Sequence, residues 1–384
     1  MREIDFGTIM TLVKGKKPRQ LFKEAQEGAL PYVDIKAFEL NEVQNYTDGV
    51  KCVPCDENDV LIVCDGSRSG LVGKGIKGYV GSTLAKVSAE GIIRDYLYYF
   101  LKSKYRVFNT HKKGTGTPHL NQELLKSQKI IVLPIQQQQK IVSRIEELFS
   151  KLDKGVETLQ TTKQQLAVYR QTVLTAAFPS ITSCNRWKLS DIAIISSGIT
   201  KGRKLHPDET IKLPYLRVAN VQNGFLDLTE VKEIDLKESE KEKFLLKYGD
   251  VLYTEGGDRD KLGRGTIWRD EIPNCVHQNH IFKARVDKSQ AIPQYVAWWS
   301  MSSHARDYFF EKGKQTVNLA SINKTVLANL ELPLPSLQEQ ERIIGIISNR
   351  FSNCDSIERT VDKALAQADA MRQSILKQAF EGKL

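Results

Sequence analysis

The chain has 384 residues, 41% of them hydrophobic, which is enough for two domains of ordinary size and argues against large-scale disorder. No apolar run approaches the ~20 residues that cross a bilayer, and the N-terminal MREIDFGTIM has no secretory signal, so we expect a cytoplasmic protein without membrane contact. A net charge of +10 favours a polyanionic partner such as nucleic acid, because Lys and Arg displace counterions from phosphates.

The first 133 residues combine short β-type runs, glycine turns and a few helices, which is typical of an α+β fold. One helix is predicted over Asp95–Leu101. The pattern Gly73-x-Gly75-x-x-Gly78 matches a dinucleotide fingerprint, but that fingerprint requires a helix directly after its last glycine. Residues 79–83 predict a turn and a strand instead, so we do not expect nucleotide binding here.

The six cysteines are scattered along the chain. Cys52-x-x-Cys55 could supply half of a zinc site, but no second pair or nearby histidine provides the remaining ligands. We therefore expect reduced, mostly buried thiols and no metal site.

Residues 136–178 predict one long amphipathic helix. The segment contains no proline and is rich in helix-forming residues, and Pro134 marks the end of a preceding strand. A continuous helix of this length would measure about 65 Å. Its heptad seam, at alternating steps of four and three, consists of Ile141, Ile145, Leu148, Leu152, Gly155, Leu159, Thr162, Leu166, Tyr169 and Val173.

Residues 185–333 repeat the motifs of residues 1–133 in the same order, including a helix predicted over Tyr295–Ser300. The repetition predicts two similar globular halves. The aligned motifs are Leu30-Pro31-Tyr32 with Leu213-Pro214-Tyr215, Asp59 with Asp250, Gly66 to Gly75 with Gly257 to Gly265 (which places Lys74 beside Arg264), and Lys113 with Lys312.

Residues 338–380 are a second copy of the long helical segment, 202 residues after the first, and both copies close on Arg-Gln-x-x-Leu-x-x-Ala-Phe. An isolated amphipathic helix would leave its seam in water, so each copy needs a partner. We expect the two to pair as an antiparallel coiled coil; the alternatives are packing on their own globular halves or dimerisation. The second seam is Ile343, Ile347, Arg350, Cys354, Ile357, Val361, Ala364, Ala368, Met371 and Ile375.

The sequence lacks the motifs of several enzyme classes: G-x-x-x-x-G-K-[ST], H-E-x-x-H, G-x-S-x-G and [DN]-P-P-[FYW]. The histidines form no ligand cluster beyond His277-x-x-His280, which we interpret as a surface pair. We therefore expect no catalytic, metal or cofactor site in this chain.

Basic and amide side chains recur on the glycine-rich loops of both halves, where they could contact phosphates and base edges. We predict DNA-binding residues in the first half at Lys14, Lys16, Lys17, Arg19, Arg68, Lys74, Lys112 and Lys113. The second half contributes Lys201, Arg203, Lys204, Arg217, Arg259, Lys261, Arg264, Lys312, Lys314 and Asn318.

Together these features resemble the specificity (S) subunits of type I restriction–modification enzymes. The resemblance covers the whole chain and is carried by two copies of a motif in which a proline precedes Q-x-[KR]-I-[IV], at Pro134 to Val142 and, one residue longer, at Pro335 to Ile344. The Arg-Gln-x-x-Leu-x-x-Ala-Phe endings and the terminal Phe-Glu-Gly-Lys-Leu add to it. The chain departs from the pattern at Gln137, where the second copy has Glu339, and it begins almost at its first recognition domain.

The resemblance implies a non-catalytic subunit with four parts: target recognition domains at residues 1–133 and 185–333, and helical spacers at 134–184 and 334–384. Each recognition domain would read one half of a bipartite site in double-stranded DNA. The paired helices would set the unread spacer and dock two methyltransferase (M) subunits, which carry S-adenosylmethionine, and restriction (R) subunits could join. The alternatives are a nucleotide-dependent enzyme and a coiled-coil scaffold whose globular halves bind proteins.

Overall fold

The computed structural model describes residues 2–114, 118–178, 185–206, 209–257, 262–315 and 320–384. The chain divides into two compact units: Met1–Gln160 together with Asp362–Leu384, and Thr161–Val361. Each unit therefore contains one globular half and a segment of each long helix. Within the described ranges, no helix is long and apolar enough to cross a membrane.

The globular part of the first unit is an α+β domain. Its main sheet has the strand order β2-β9-β6-β7, a second sheet has the order β4-β3-β8-β5, and β1 pairs with β10. The elements are β1 (Arg2–Asp5), β2 (Met10–Lys14), β3 (Leu30–Val33), α1 (Ile35–Leu40), β4 (Tyr46–Thr47), β5 (Pro54–Cys55), β6 (Val60–Val63), β7 (Val72–Lys74), β8 (Gly78–Val80), β9 (Leu84–Ala89), α2 (Arg94–Ser103), α3 (Tyr105–Thr110), α4 (Gln122–Lys126) and β10 (Lys129–Val132).

The second unit repeats this architecture after the long helix α5 (Ile135–Ala177). Its main sheet has the order β12-β19-β15-β17, beside sheets β14-β13-β18, β16-β21-β20 and β11-β22. The elements are β11 (Arg186–Lys188), α6 (Leu189–Ile192), β12 (Ala193–Ser197), β13 (Thr210–Leu216), β14 (Lys232–Lys237), α7 (Lys241–Phe244), β15 (Val251–Thr254), β16 (Gly256–Gly257), β17 (Gly265–Ile267), β18 (Val276–His277), β19 (Ile281–Val286), α8 (Pro293–Met301), α9 (Ser303–Lys312), β20 (Lys314–Gln315), β21 (Ala320–Ser321), α10 (Lys324–Ala328), β22 (Glu331–Pro333) and the second long helix, α11 (Leu337–Phe380).

The internal repeat is confirmed by strand order and register. The central strands β6 and β15 hold the same place in equivalent sheets, with Val60 opposite Val87 and Val251 opposite Ala284. The predicted helices at residues 95–101 and 295–300 are present as α2 and α8, each slightly longer than predicted. The two halves are therefore variants of one α+β fold.

Two of the sequence alignments between the halves are out of register. The carbonyls of Leu71 and Arg264 accept equivalent strand hydrogen bonds from the last residues of β6 and β15, so Arg264 corresponds to Leu71 and not to Lys74. The loop from β6 to β7 is two residues shorter than the loop from β15 to β17. Both loops are rich in glycine, so an alignment based on the glycines does not show this difference in length. Lys113 likewise corresponds to Lys314, because each is the hairpin residue paired across to the returning strand.

In the first unit, the beginning of α5 packs against the end of α11. Val142, Ile145 and Phe149 of α5 share one core with Leu376 and Ala379 of α11 and with side chains of α2. Arg372 forms an ion pair with Asp153 and lies over the Phe149 ring, 5.5 Å from its centroid. This helical pair is thus joined both by apolar packing and by a charge contact.

The second unit pairs the other ends of the same helices in the equivalent way. Arg170 of α5 contacts Asp355 at 2.6 Å and Glu358 at 2.9 Å, both on α11. Asp153 and Asp355 are 202 residues apart, as are Arg170 and Arg372, so the ion pairs are repeat-related. Their order along α5 is the reverse of their order along α11, as antiparallel helices require. The predicted antiparallel pairing is therefore confirmed, and each helix also packs on a globular half.

The predicted seam is wrong at two repeat-related pairs of positions and at one further residue. Gly155 with Ile357, Tyr169 with Met371, and Arg350 are exposed. An α-helix has 3.6 residues per turn, so a strict seven-residue pattern drifts around a straight helix. The buried side chains accordingly include neighbours of the seam, such as Phe149 and Leu174, which face the globular halves.

A buried glutamine fastens the first turn of each long helix to its globular half. Gln138 is fully buried; its Oε1 accepts from the backbone N–H of Ile93 at 2.9 Å, and its Nε2 donates to the carbonyls of Leu133 at 2.7 Å and Gly91 at 2.8 Å. Ile93 is the N-cap residue of α2, whose first N–H groups have no partner within the helix.

Gln340 does the same in the second unit. It accepts from the N–H of Ile292, the N-cap of α8, at 2.8 Å. Its Nε2 donates to the carbonyls of Pro335 at 2.9 Å and Gln290 at 3.3 Å. The glutamine of the repeated Q-x-[KR]-I-[IV] motif is therefore a structural anchor.

The closing phenylalanines of the two helices are anchors as well. Phe178, just past α5, lies edge-on to Tyr295 and Trp299 of α8. Phe380, at the end of α11, lies edge-on to Tyr96 and Phe100 of α2. Aromatic pairs of this geometry add to the free energy of burial, which explains why both helical segments end on Ala-Phe.

His277 is buried in the core of the second unit, so its interpretation as one member of a surface pair is wrong. Its Nδ1 lies 3.1 Å from the carbonyl of Phe244, and its Nε2 is buried without a hydrogen-bond partner. Val80 occupies the equivalent strand position in the first unit. Burial, with a further contribution from Lys283, lowers the pKa of His277 to about 4.

We expect Gln340→Leu to lower the free energy of unfolding by about 3 kcal/mol, because it leaves the buried N–H of Ile292 and two carbonyls without partners. All four tryptophans lie between residues 187 and 299, so tryptophan fluorescence during urea unfolding reports on this half. Gln338→Leu, the same substitution at an exposed position of the same turn, should change stability by less than about 0.5 kcal/mol. Equal effects of the two variants would show that the buried amide contributes nothing.

We expect the stability of the second unit to fall as the pH drops from 6.5 towards 4. The unfolded state protonates His277 near its ordinary pKa while the folded state keeps it neutral, so acid favours unfolding, by on the order of 3 kcal/mol in the limit. His277→Val, which copies the first unit, should remove this part of the pH dependence. Urea unfolding followed by tryptophan fluorescence at pH 7 and pH 4.5 measures it; parallel curves for both proteins would contradict the assignment.

Candidate nucleic-acid interface

In the first unit, the loops at the ends of β2 and β6 meet around Asp65. Lys14 reaches the carboxylate at 2.9 Å, and the Nδ1 of His119 lies 2.7 Å from its other oxygen. Burial acts to raise the pKa of Asp65, but the hydrogen bonds from His119 and Lys14 outweigh it and the pKa is lowered. The carboxylate is thus ionised and shared by two basic side chains.

Other predicted residues lie on the same surface. Lys112 donates to the carbonyl of Ser67 at 2.8 Å, in the loop that also carries Arg68. Arg68 pairs with Glu39 of α1 and stays about half exposed. Lys113 contacts Glu123 at 3.1 Å and pairs through its backbone with His119. The fold therefore brings Lys14, Arg68, Lys112 and Lys113 to one end of the main sheet.

Lys16, Lys17 and Arg19 are exposed on the segment that leaves β2 through Gly15. A Cβ at Gly15 would come within 2.1 Å of the carbonyl oxygen of Gly81, so only glycine allows this close approach of two backbone segments. Gly198 meets the same constraint at the carbonyl of His277. The correspondence between the two basic loops is therefore structural, and Lys201 and Lys204 are exposed after Gly198 as Lys16 and Lys17 are after Gly15.

Lys74 is separated from this group by its contacts. It lies at the end of β7, forms an ion pair with Asp95 of α2 at 2.7 Å, and stands 5.6 Å from the centre of the Tyr98 ring. The hydrogen bond from Lys74 to Asp95 raises the pKa of the lysine. Through these contacts, Lys74 links strand β7 to helix α2.

Two arginines of the second unit also have structural contacts. Arg203 is half-buried and pairs with Glu240 at 2.9 Å, which lowers the pKa of that carboxyl group. Arg217 donates to the backbone carbonyl of Glu230 at 3.0 Å and reaches its carboxylate at 3.3 Å. Both side chains hold loops in place.

Arg264 lies in a cavity of about 350 Å³ and donates to the side-chain oxygen of Gln222 at 3.0 Å. Arg306, Asn223 and Phe225 also line this cavity, so it offers cations, an amide and an aromatic ring. Lys312 pairs with its neighbour Glu311 at 2.8 Å, and Lys314 is exposed on β20. Arg259, Lys261 and Asn318 lie outside the described residues.

A second histidine–carboxylate pair lies in the second unit, and neither pair was predicted from the sequence. His280 precedes β19, and its Nδ1 contacts Glu255, the residue after β15. His119 stands at the same end of the equivalent sheet in the first unit. The sequence does show a histidine near the end of a strand in each half. The carboxylate that each histidine contacts is distant in sequence, and the two pairs do not occupy matching positions.

The part of the chain that the structure describes contains no His, Cys, Asp or Glu cluster able to hold a metal ion. Cys52 is partly exposed and Cys55 is buried, and burial raises the pKa of Cys55 to about 11, which keeps it a thiol. The Gly73-x-Gly75-x-x-Gly78 segment joins β7 to β8, two strands, so the helix that dinucleotide binding needs does not follow it. A Cβ at Gly78 would collide with the carbonyl of Pro31 at 2.2 Å, so packing accounts for this glycine.

Comparison with known proteins agrees with this geometry. The family model described as the type I restriction modification DNA specificity domain matches residues 3–166 and 185–367, one copy for each half. The MjaVIII specificity subunit of a Methanocaldococcus jannaschii type I restriction enzyme is 26% identical over 99% of this chain and 92% of its own length. The EcoKI specificity subunit of Escherichia coli is 24% identical over 98% of this chain and 88% of its own length.

A solved structure shares the fold. A chain from work on complex assembly and conformational transition of the type I R-M system superposes with a TM-score of 0.71, covering 100% of this chain and 98% of that one at 16% identity. The family model accounts for both halves and most of the helices. The chain therefore belongs to the type I restriction–modification DNA specificity family.

Proposed function

We propose that this chain is the DNA sequence-specificity subunit of a type I restriction–modification enzyme. The observation that carries the proposal is the repetition of one sheet, β2-β9-β6-β7 and β12-β19-β15-β17, with basic loops at the same end each time. Each target recognition domain, residues 1–133 and 185–333, reads one half of a bipartite site in double-stranded DNA. Phosphate contacts from the exposed lysines fix position, and side chains at base edges select sequence.

The long helices set the distance between the two half-sites and dock two methyltransferase subunits, which bring S-adenosylmethionine; restriction subunits complete a cutting enzyme. The repeat-related ion pairs that join α5 to α11 within each unit support a fixed register of the paired helices. Apolar side chains left exposed on the helices support docking, since buried contacts with partners would cover them. These side chains are Val168, Tyr169, Ile357 and Met371.

The chain works without chemistry of its own, in the cytoplasm, as the reader for catalytic partners. The strand-to-strand setting of its glycine pattern supports this view, and so do the structural hydrogen bonds of the buried Gln138 and Gln340. A coiled-coil scaffold with protein-binding heads is the alternative. It gives no reason for basic loops at one end of each sheet.

Methylome sequencing of a host that expresses this chain with a cognate methyltransferase subunit tests the proposal. We expect a split DNA motif that is methylated only when both proteins are present. Expression of each protein alone provides the controls. A methylated motif that does not depend on this chain, or the absence of any new motif, would reject the specificity role.

A salt titration separates DNA binding from scaffolding. Replacing Lys16 and Lys17 with Gln should weaken binding of the assembled methyltransferase to all DNA sequences alike and reduce the slope of log K against log salt by about 0.9 per lost phosphate contact. Lys129→Gln removes one positive charge from a side chain paired with Asp5, at the sheet of β1 and β10, and should leave the slope unchanged. Affinity that is independent of salt in the unmodified protein would favour the protein-binding scaffold.

A further inference from the structure

Each recognition domain places a histidine against a carboxylate at the same end of its main sheet. In the first domain, His119 contacts Asp65, two residues after β6; in the second, His280 contacts Glu255, one residue after the equivalent strand β15. His119 belongs to the strand returning from a hairpin, whereas His280 precedes β19. The two domains thus form the same type of pair from residues at non-equivalent positions. Inheritance of one ancestral contact does not explain this similarity.

The two pairs also share their geometry. In both, the ring nitrogen next to the carboxylate is Nδ1, so this nitrogen carries a proton and Nε2 is the atom left for another partner. Both imidazoles are 54% exposed, while Asp65 and Glu255 are 21% and 31% exposed. A more deeply set carboxylate therefore orients an accessible ring.

Both histidine–carboxylate pairs lie next to residues that belong to, or pair with, the basic loops. Lys14 shares Asp65 with His119, and Lys113 pairs through its backbone with His119. In the second domain, Ile199, two residues before Lys201, pairs with Gln278, and the amide of Asn279 lies 3.5 Å from the Nε2 of His280. His119 therefore lies beside lysines predicted to contact phosphates, and His280 follows a strand position that pairs with the lysine-bearing loop after β12.

A carboxylate on a DNA-facing surface repels phosphates, so it is favourable there only if it organises donors. Asp65 does this twice, for Lys14 and His119, and its lowered pKa shows that the ion is stabilised by them. A fixed side-chain orientation adds little to a phosphate contact, because a flexible lysine can form that contact equally well. It is valuable for a base edge, where hydrogen bonds discriminate only at defined angles and distances.

We propose that His119 and His280 each read a base edge, one in each half-site, and that Asp65 and Glu255 are their positioning residues. The inference rests on the proposed function and names residues that carry its specificity. The Nε2 of each ring accepts a hydrogen bond from an amino group of adenine or cytosine when the ring is neutral, and donates to guanine O6 or N7 when it is protonated.

The test is the methylated motif of the full chain assembled with methyltransferase subunits, compared among variants by sequencing and on a library of DNA duplexes. His280→Ala should relax discrimination by roughly tenfold at one or two positions of one half-site, and His119→Ala should do so in the other half only. His304→Ala provides the matched control: His304 is an exposed histidine of the second domain that stacks on Trp299, and its loss should leave the motif unchanged.

The positioning role has its own readout. Glu255→Gln keeps an oxygen that can accept from the Nδ1–H and should retain most of the base preference, whereas Glu255→Ala should behave like His280→Ala. Thermal unfolding of each variant checks the fold, which half-exposed side chains should affect little. A structural role alone would not distinguish the glutamine from the alanine variant at a single base position.

Other outcomes overturn the inference. Equal weakening on all sequences with an unchanged motif would make the histidines phosphate contacts, and loss of assembly with methyltransferase subunits would make them protein contacts. If the unmodified chain directs no split motif, the proposed function fails first and the inference fails with it. A motif that depends on the chain but is indifferent to both histidines rejects the inference alone.

Discussion

The fold depends on two buried glutamines that join each long helix to a globular half. Gln138 and Gln340 each satisfy the N-cap N–H of a domain helix and two loop carbonyls at once, so neither the helix nor the domain has a complete set of buried hydrogen bonds without the other. Phe178 and Phe380 fix the opposite ends by insertion beside aromatic rings of α8 and α2. The number of residues between glutamine and phenylalanine is the same in both copies, which is why the helical segments align without a gap.

Charge in this protein has two uses that composition alone does not separate. Arg170 and Arg372 are committed to helix pairing, and Arg203 and Arg217 to loop structure, by partners within their own unit. The exposed lysines after Gly15 and Gly198 are among the residues that can meet phosphates. The net charge of +10 therefore does not show that the lysines able to contact phosphates are concentrated on particular loops.

Periodicity and repetition predicted the long helices, their antiparallel pairing and the duplicated α+β fold, because these depend on patterns that recur along the chain. Individual loop positions were not predictable in the same way. The two-residue difference after β6 and β15 displaced Arg264 from its true counterpart Leu71, since glycine spacing alone cannot show an insertion. The prediction for His277 was wrong because a single polar residue in an apolar strand is expected to be exposed unless the packing around that strand is known. The pairing of His119 with Asp65 joins loops 54 residues apart, which no local pattern encodes.

Under the proposed function, the separation between anchors and loops allows one fold to read two different half-sites. Glutamine and phenylalanine anchors, and the registers of β6 with β9 and β15 with β19, define the frame. The histidine–carboxylate pairs lie beyond the strand ends, where hairpin length and side-chain identity can change without removing a ladder hydrogen bond. Asp65 with His119 and Glu255 with His280 illustrate this freedom, because the same pairing is built from different positions on the two loops. A change of DNA sequence preference in one domain then leaves the helical frame, and the reading of the other half-site, intact.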